Sequence, residues 1–203
     1  MSILKVNQRN LKTIVKITVK SIKQGEVVVC PTDTVYGLLA DATNEKAIKK
    51  LLKIKKRRTQ KPIPIFVKDL KAAKRLAQIN KNQEKFLRKV WPGKVTTVLK
   101  RKNKLPKILF AERKTIGLRI PKYKLVQDLF KKLNCPLTGT SANISGKPAS
   151  NNIKEIINQF KNQPPTKNGG GQPDLIIDAG NLPKSKPSIV LDLTIWPPKI
   201  LRL

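Results

Sequence analysis

Apolar residues recur at alternating helical and strand spacing along most of the chain. Leu11, Ile14, Val15, Val19 and Ile22 lie three and four apart and predict a helix that Gly25 stops. Glu26 to Cys30 predicts a buried strand, which delivers the turn C-P-T-D-T-V-Y-G-L at 30–38. Asn44 is placed to cap a second helix with Ala47, Ile48, Leu51 and Leu52 on its apolar face. That helix should run out in the basic cluster at 53–58, with Pro62 as its certain limit. Ile63, Ile65 and Val67 then alternate as a strand does.

The second half continues the alternation. Helices are predicted at 69–79, 83–90, 125–133 and over Ile153 to Phe160, and strands at 95–99, 115–120, 136–140, 175–177, 189–193 and 200–203. A Pro-, Asn- and Gly-rich loop spans 163–173. No internal repeat or domain boundary interrupts this order. Strands alternating with helices, some joined too tightly for a crossover, predict a single α/β domain over residues 1–203 with a mixed sheet.

Composition narrows the chemistry. The chain of 203 residues is long enough for one substantial core, and 39% of it is apolar. There is no histidine, which excludes Ser-His-Asp, Cys-His and histidine-ligated metal chemistry. Cys30 and Cys135 lie far apart without C-x-x-C spacing, as suits a reducing compartment. No signal-peptide core or membrane-length apolar run is present, so a soluble, cytoplasmic protein without membrane contact is expected. The 44 Lys and Arg against 12 Asp and Glu give a net charge of +32, which attracts polyanions and equally fits compositional drift.

Several residues could do chemistry. Lys55 and Arg57, two apart, point the same way if the segment is extended, and would then grip a polyphosphate; a solvated helix end is the alternative. Ser141 and Asn143 follow a predicted strand and could bond a phosphate or ribose, or simply close their own turn. Gly146-Lys147 and Gly169-Gly170-Gly171 lack the spacing of a phosphate-binding P-loop. The two tryptophans make a poor base-stacking platform.

Taken in order, the motifs resemble those of the YrdC/TsaC-type threonylcarbamoyl-AMP synthases in their short form. They are P-T-D-T-V-Y-G-L at 31–38, I-K-x-R at 54–57, W-P-G-x-x-T at 91–96 and T-x-G-x-R-x-P at 115–121. They continue with T-S-A-N-x-S-G at 140–146, D-x-I-x-D-A-G at 174–180 and P-S-x-V-x-D-L at 187–193. The resemblance implies a strongly twisted mixed β-sheet flanked by helices. It further implies formation of threonylcarbamoyl-AMP and pyrophosphate from L-threonine, bicarbonate and ATP, with Mg²⁺ accompanying the ATP and no tightly bound cofactor. Separate threonylcarbamoyl-transferase proteins would then modify tRNA beside the anticodon.

By the same resemblance Lys55, Arg57, Ser141 and Asn143 form the catalytic signature, and Lys55, Arg57, Lys61, Thr115, Asn143, Asn151 and Arg202 hold ATP. Thr32, Thr34, Arg119, Ser141 and Ser188 hold threonine. Phe66 stands where some relatives carry a threonine-contacting histidine, and Ile189 where threonine is common. Lys55 and Arg57 are expected to be exposed in a cleft, so that alanine at either abolishes synthesis without unfolding. A module that binds tRNA or rRNA without ATP chemistry is the competing reading.

Overall fold

In the computed structural model, residues 1–203 other than 8, 58–60 and 164–170 are described. The expected loop at 163–173, with its glycine run, lies largely outside them. The elements are β1 (Ser2–Lys5), α1 (Leu11–Lys23), β2 (Val28–Cys30), β3 (Gly37–Leu39), α2 (Glu45–Lys55) and β4 (Ile65–Phe66). They continue with α3 (Leu70–Leu76), α4 (Lys81–Val90), β5 (Val95–Lys100), β6 (Thr115–Arg119), α5 (Lys124–Lys132) and β7 (Leu137–Thr138). Last come β8 (Thr140–Ser141), α6 (Ile153–Lys161), β9 (Leu175–Asp178), β10 (Ile189–Asp192) and β11 (Lys199–Arg202).

The strands form two mixed sheets, ordered β1-β9-β2-β3-β8 and β11-β10-β5-β6-β4-β7. The stretch predicted as one strand at 136–140 serves both. β7 pairs with β4 in one sheet, β8 pairs with β3 in the other, and Gly139 is the crossing point. The sheets are laced together there, since the amide of Thr138 donates to Ala40 O and the amide of Ala40 to Thr138 Oγ1, each at 2.9 Å. Gly139 has a packing reason to be glycine: a Cβ would lie 2.3 Å from Phe66 Cε1.

β2 is buried on both faces, as its unbroken apolar run requires. Val28 and Cys30 pack under α1 and α5, with Ile14, Ile22, Val126 and Leu129. Val27 and Val29 face the larger cluster, where Ile48 and Leu51 of α2 meet Leu99, Ile116 and Leu118 of the second sheet. Asn44 caps α2 by accepting the amide of Ala47 at 3.2 Å. Asn80 and Gln83 form a reciprocal capping box at the start of α4.

Two local differences from the sequence-based reading matter for the site. β1, at the chain start, joins β9 in parallel and had no periodic signal long enough to show it. More importantly, α2 stops at Lys55, inside the basic cluster as expected, but the chain reverses there instead of running on extended. Lys56 adopts φ 48, the amide of Lys56 donates to Lys53 O, and that of Arg57 to Leu52 O. This is a Schellman cap with lysine in the place usually given to glycine, at a cost of roughly 1–2 kcal/mol. Lys55 and Arg57 therefore sit on a helix end and a reversal, and not on an extended segment.

Candidate active site

The β2–β3 turn brings small hydroxyls to the end of a buried strand. Thr32 Oγ1 donates to Val35 O at 2.6 Å and accepts the amide of Thr34 at 3.2 Å, closing the turn on itself. Tyr36 fixes its far side: the phenol donates to Gly180 O at 2.6 Å and accepts the amide of Ala179 at 3.0 Å. The D-A-G stretch is thus anchored to the P-T-D-T-V-Y-G stretch, two motifs separated by more than half the chain.

Lys55 crosses from the end of α2 to the residues after β8. Its ammonium donates to Ser141 O at 2.6 Å, Asn143 O at 3.0 Å and Asn143 Oδ1 at 2.8 Å. Ser141 Oγ donates to the same Oδ1 at 2.6 Å, and Asn143 Nδ2 donates to Ile144 O and Lys147 O. Every polar group of the Asn143 amide is therefore occupied. Lys55 is 2% exposed, which corrects the expectation of a cation open in a cleft. Burial, and secondarily the charge of Arg57, lowers its pKa to about 7, while three oxygen acceptors favour the protonated form.

Arg57 emerges beyond the cap. Its Nε donates to Lys61 O at 3.1 Å and its Nη2 to Pro62 O at 2.7 Å, so the guanidinium is held, with no partner for Nη1 among the described residues. Across the space, Arg119 closes β6 and donates from Nε to Gly93 O (2.9 Å), from Nη1 to Thr34 Oγ1 (3.2 Å) and from Nη2 to Asp33 Oδ1 (2.6 Å). Arg202 reaches back from β11 to Ser188 O at 2.7 Å, and Ser188 shares a 2.8 Å hydroxyl bond with Thr96. Strand register sets Arg202, Val190 and Thr96 along one row of the second sheet, and Arg119 follows Leu118, the partner of Thr97.

These groups surround one cavity of about 360 Å³. Of the residues singled out in the sequence, Thr32, Thr34, Arg57, Lys61, Arg119, Ser141, Ser188 and Arg202 line it. Lys55 and Asn143 stand immediately behind Ser141. Two are not brought in. Thr115 shares a sheet face with Arg119 but lies at the other end of β6, lining a neighbouring basic cavity with Lys100, Arg101 and Lys114. Asn151 is engaged with the backbone of 182–183, through its Nδ2 to Pro183 O and its carbonyl to the amide of Leu182.

Sequence reasoning gave no role to Asp33, Thr96 or Pro64. Asp33 and Thr96 lie within quoted motifs and Pro64 outside them, and the partners of all three are distant in sequence, which spacing cannot show. Phe66, noted as a departure, also lines the cavity, with the Arg119 guanidinium 5.6 Å from its ring centre. The wall holds no Asp or Glu. Among the described residues no group of His, Cys, Asp and Glu could hold a metal ion, and no helix is long and apolar enough to cross a membrane.

Fold and site together define an α/β protein with a polar cavity walled by cations and hydroxyls where two mixed sheets meet. The Sua5/YciO/YrdC family model, described as telomere recombination, matches residues 20–203, and the chain belongs to that family. A Methanocaldococcus jannaschii relative is 35% identical over 193 residues, 95% of this chain and 86% of its own. The threonylcarbamoyl-AMP synthase of Pyrococcus abyssi is 31% identical over 201 residues; this chain spans 56% of that protein's length. The crystal structure of P. abyssi Sua5 complexed with L-threonine superposes with a TM-score of 0.89, at 31% identity, over 100% of this chain and 57% of that one. E. coli YciO superposes with a TM-score of 0.83, at 26% identity, over 100% of this chain and 95% of its own.

Proposed function

We propose that this protein is an L-threonylcarbamoyladenylate synthase, a nucleotidyltransferase that joins L-threonine, bicarbonate and ATP. The observation that carries the reading is one cavity lined by Arg57, Lys61, Arg119 and Arg202 together with several hydroxyls, with no acid in its wall. Such a space suits a ligand that carries a carboxylate and a phosphate a few bonds apart, as the threonylcarbamoyl phosphate part of threonylcarbamoyl-AMP does. The names of its relatives point the same way.

Arg57 and Lys61 take the phosphates, which arrive as the Mg²⁺ complex of ATP. Arg119 takes the threonine carboxylate, with Thr34, Thr32 and Ser188 beside it; Arg202, which the resemblance gives to ATP, is bonded to Ser188 O and adds its cation at this end. Threonine's amine and bicarbonate condense to a carbamate with loss of water. A carbamate oxygen then attacks the α-phosphorus as the bond to the β-phosphate breaks and pyrophosphate leaves. No protein nucleophile is needed, so a chain without histidine can run the reaction by alignment and fixed positive charge. Lys55 and Asn143 act from behind the wall by holding Ser141 in place.

The reading takes residues 1–203 as one functional domain, acting in the cytoplasm. Its product would be handed to separate threonylcarbamoyl-transferase proteins acting on tRNA, which the basic surface could itself engage. Pyrophosphate release from ATP tests it: release should require both threonine and bicarbonate. Release independent of threonine, or none while RNA is bound tightly, would favour the RNA-binding module instead.

A further inference from the structure

The two cationic ends of the cavity differ in their counter-charge. Arg119 is paired: its Nη2 lies 2.6 Å from Asp33 Oδ1, and the two side chains are 4% and 9% exposed. The other oxygen of Asp33 accepts the amide of Lys122 at 3.0 Å, so the carboxylate is held against the end of β6. With Gly93 O and Thr34 Oγ1 also bonded, three guanidinium N–H groups are used and one remains on each terminal nitrogen. At the opposite end, neither Arg57 nor Lys61 has an ion-pair partner among the described residues.

The charges at the Arg119 end can be summed. Arg119 and Arg202 contribute two positive charges and Asp33 removes one, leaving +1, the complement of one carboxylate. A phosphate carries close to two negative charges at neutral pH, which this net charge does not balance, and it would be repelled by the Asp33 carboxylate standing behind Arg119. Arg57 and Lys61 carry two positive charges with no acid opposing them. We propose that Asp33 gives the cavity its polarity: it aims Arg119 and offsets part of its charge, so that this end accepts a carboxylate and refuses a phosphate. The polyphosphate is thereby left to the Arg57–Lys61 end. Asp33 touches no substrate; it acts through Arg119 as a positioning and specificity residue. This rests on the proposed function for the assignment of the amino acid to Arg119.

The test uses the full chain, inorganic phosphate as the probe and threonylcarbamoyl-AMP as the measured product. In the native protein phosphate should inhibit in competition with ATP, and excess threonine should not relieve it. In Asp33→Asn the KM for threonine should rise roughly 10- to 100-fold with kcat little changed, as small misplacements of a binding group do. Phosphate inhibition in that variant should also become relievable by threonine. Asp33→Glu, which keeps the charge, should restore the native inhibition pattern. An Asp33→Asn enzyme in which phosphate still competes with ATP alone overturns the proposal and leaves the function intact. If Asp33→Asn does not fold, calorimetry on the native protein decides: threonine affinity unaffected by phosphate supports the proposal, and direct competition overturns it. A native protein that neither binds threonine nor makes the product overturns the proposed function itself.

Discussion

The ammonium of Lys55 sits 2.8 Å from Asn143 Oδ1, in a pocket of oxygen atoms that excludes solvent from both residues. The pair is a brace between the end of α2 and the turn after β8, and it fixes where Ser141 faces the cavity. Removing the cation would take a charged donor from three acceptors and leave Asn143 O without a partner among the described residues, at a cost of about 1–3 kcal/mol. Lys55→Met should therefore lower thermal stability measurably and abolish synthesis. Unchanged stability on thermal or denaturant unfolding would show that the brace carries no load.

Arg57 should behave differently. Its side chain is half-buried and bonded to two backbone carbonyls, while its remaining nitrogen has no partner among the described residues. Arg57→Ala is expected to change stability by no more than about 1 kcal/mol. It should cost about 2–5 kcal/mol in the binding of ATP, as loss of a charge-assisted contact does. Calorimetric titration with a non-hydrolysable ATP analogue, beside a thermal melt, separates the two quantities.

Gly139 and Phe66 should be coupled. A methyl at 139 would overlap three ring atoms of Phe66 between 2.3 and 2.9 Å. Gly139→Ala should cost about 1–3 kcal/mol, as overpacking does. The same change in a Phe66→Ala background should cost much less. A double-mutant cycle by chemical denaturation reads the difference directly.

Tyr36 predicts a pH dependence. Burial, above all, raises its pKa well beyond the ordinary phenol value of 10.0, and its hydrogen bond to Gly180 O requires the proton. Above about pH 10 the unfolded chain loses this proton while the folded chain keeps it, so stability is full below that pH and falls as pH rises. Tyr36→Phe should lose about 0.5–1.5 kcal/mol near neutrality. Its stability should also decline less steeply above pH 10, which unfolding curves at stepped pH would show.

The helices were readable because their apolar spacing is regular, and Asn44 announced the start of α2 correctly. Much of the cavity wall was readable because the motifs supply hydroxyls and cations at strand ends. The burial of Lys55 was not readable, since its three acceptors lie 86 and 88 residues away and the reversal at Lys56 uses a residue that rarely takes that conformation. Thr115 was placed with Arg119 because both belong to one motif. Four residues of strand set them about 13 Å apart, however, and they line different cavities. Asp33 was quoted within its motif, but its partner Arg119 is 86 residues distant, and only the fold brings them together.

A crystal of the protein soaked with threonine and ATP tests the central claim most directly. The threonine carboxylate should be found on Arg119 and the phosphates on Arg57 and Lys61, both within the 360 Å³ cavity. Nucleotide density confined to the basic cavity beside Thr115, or threonine away from Arg119, would contradict it.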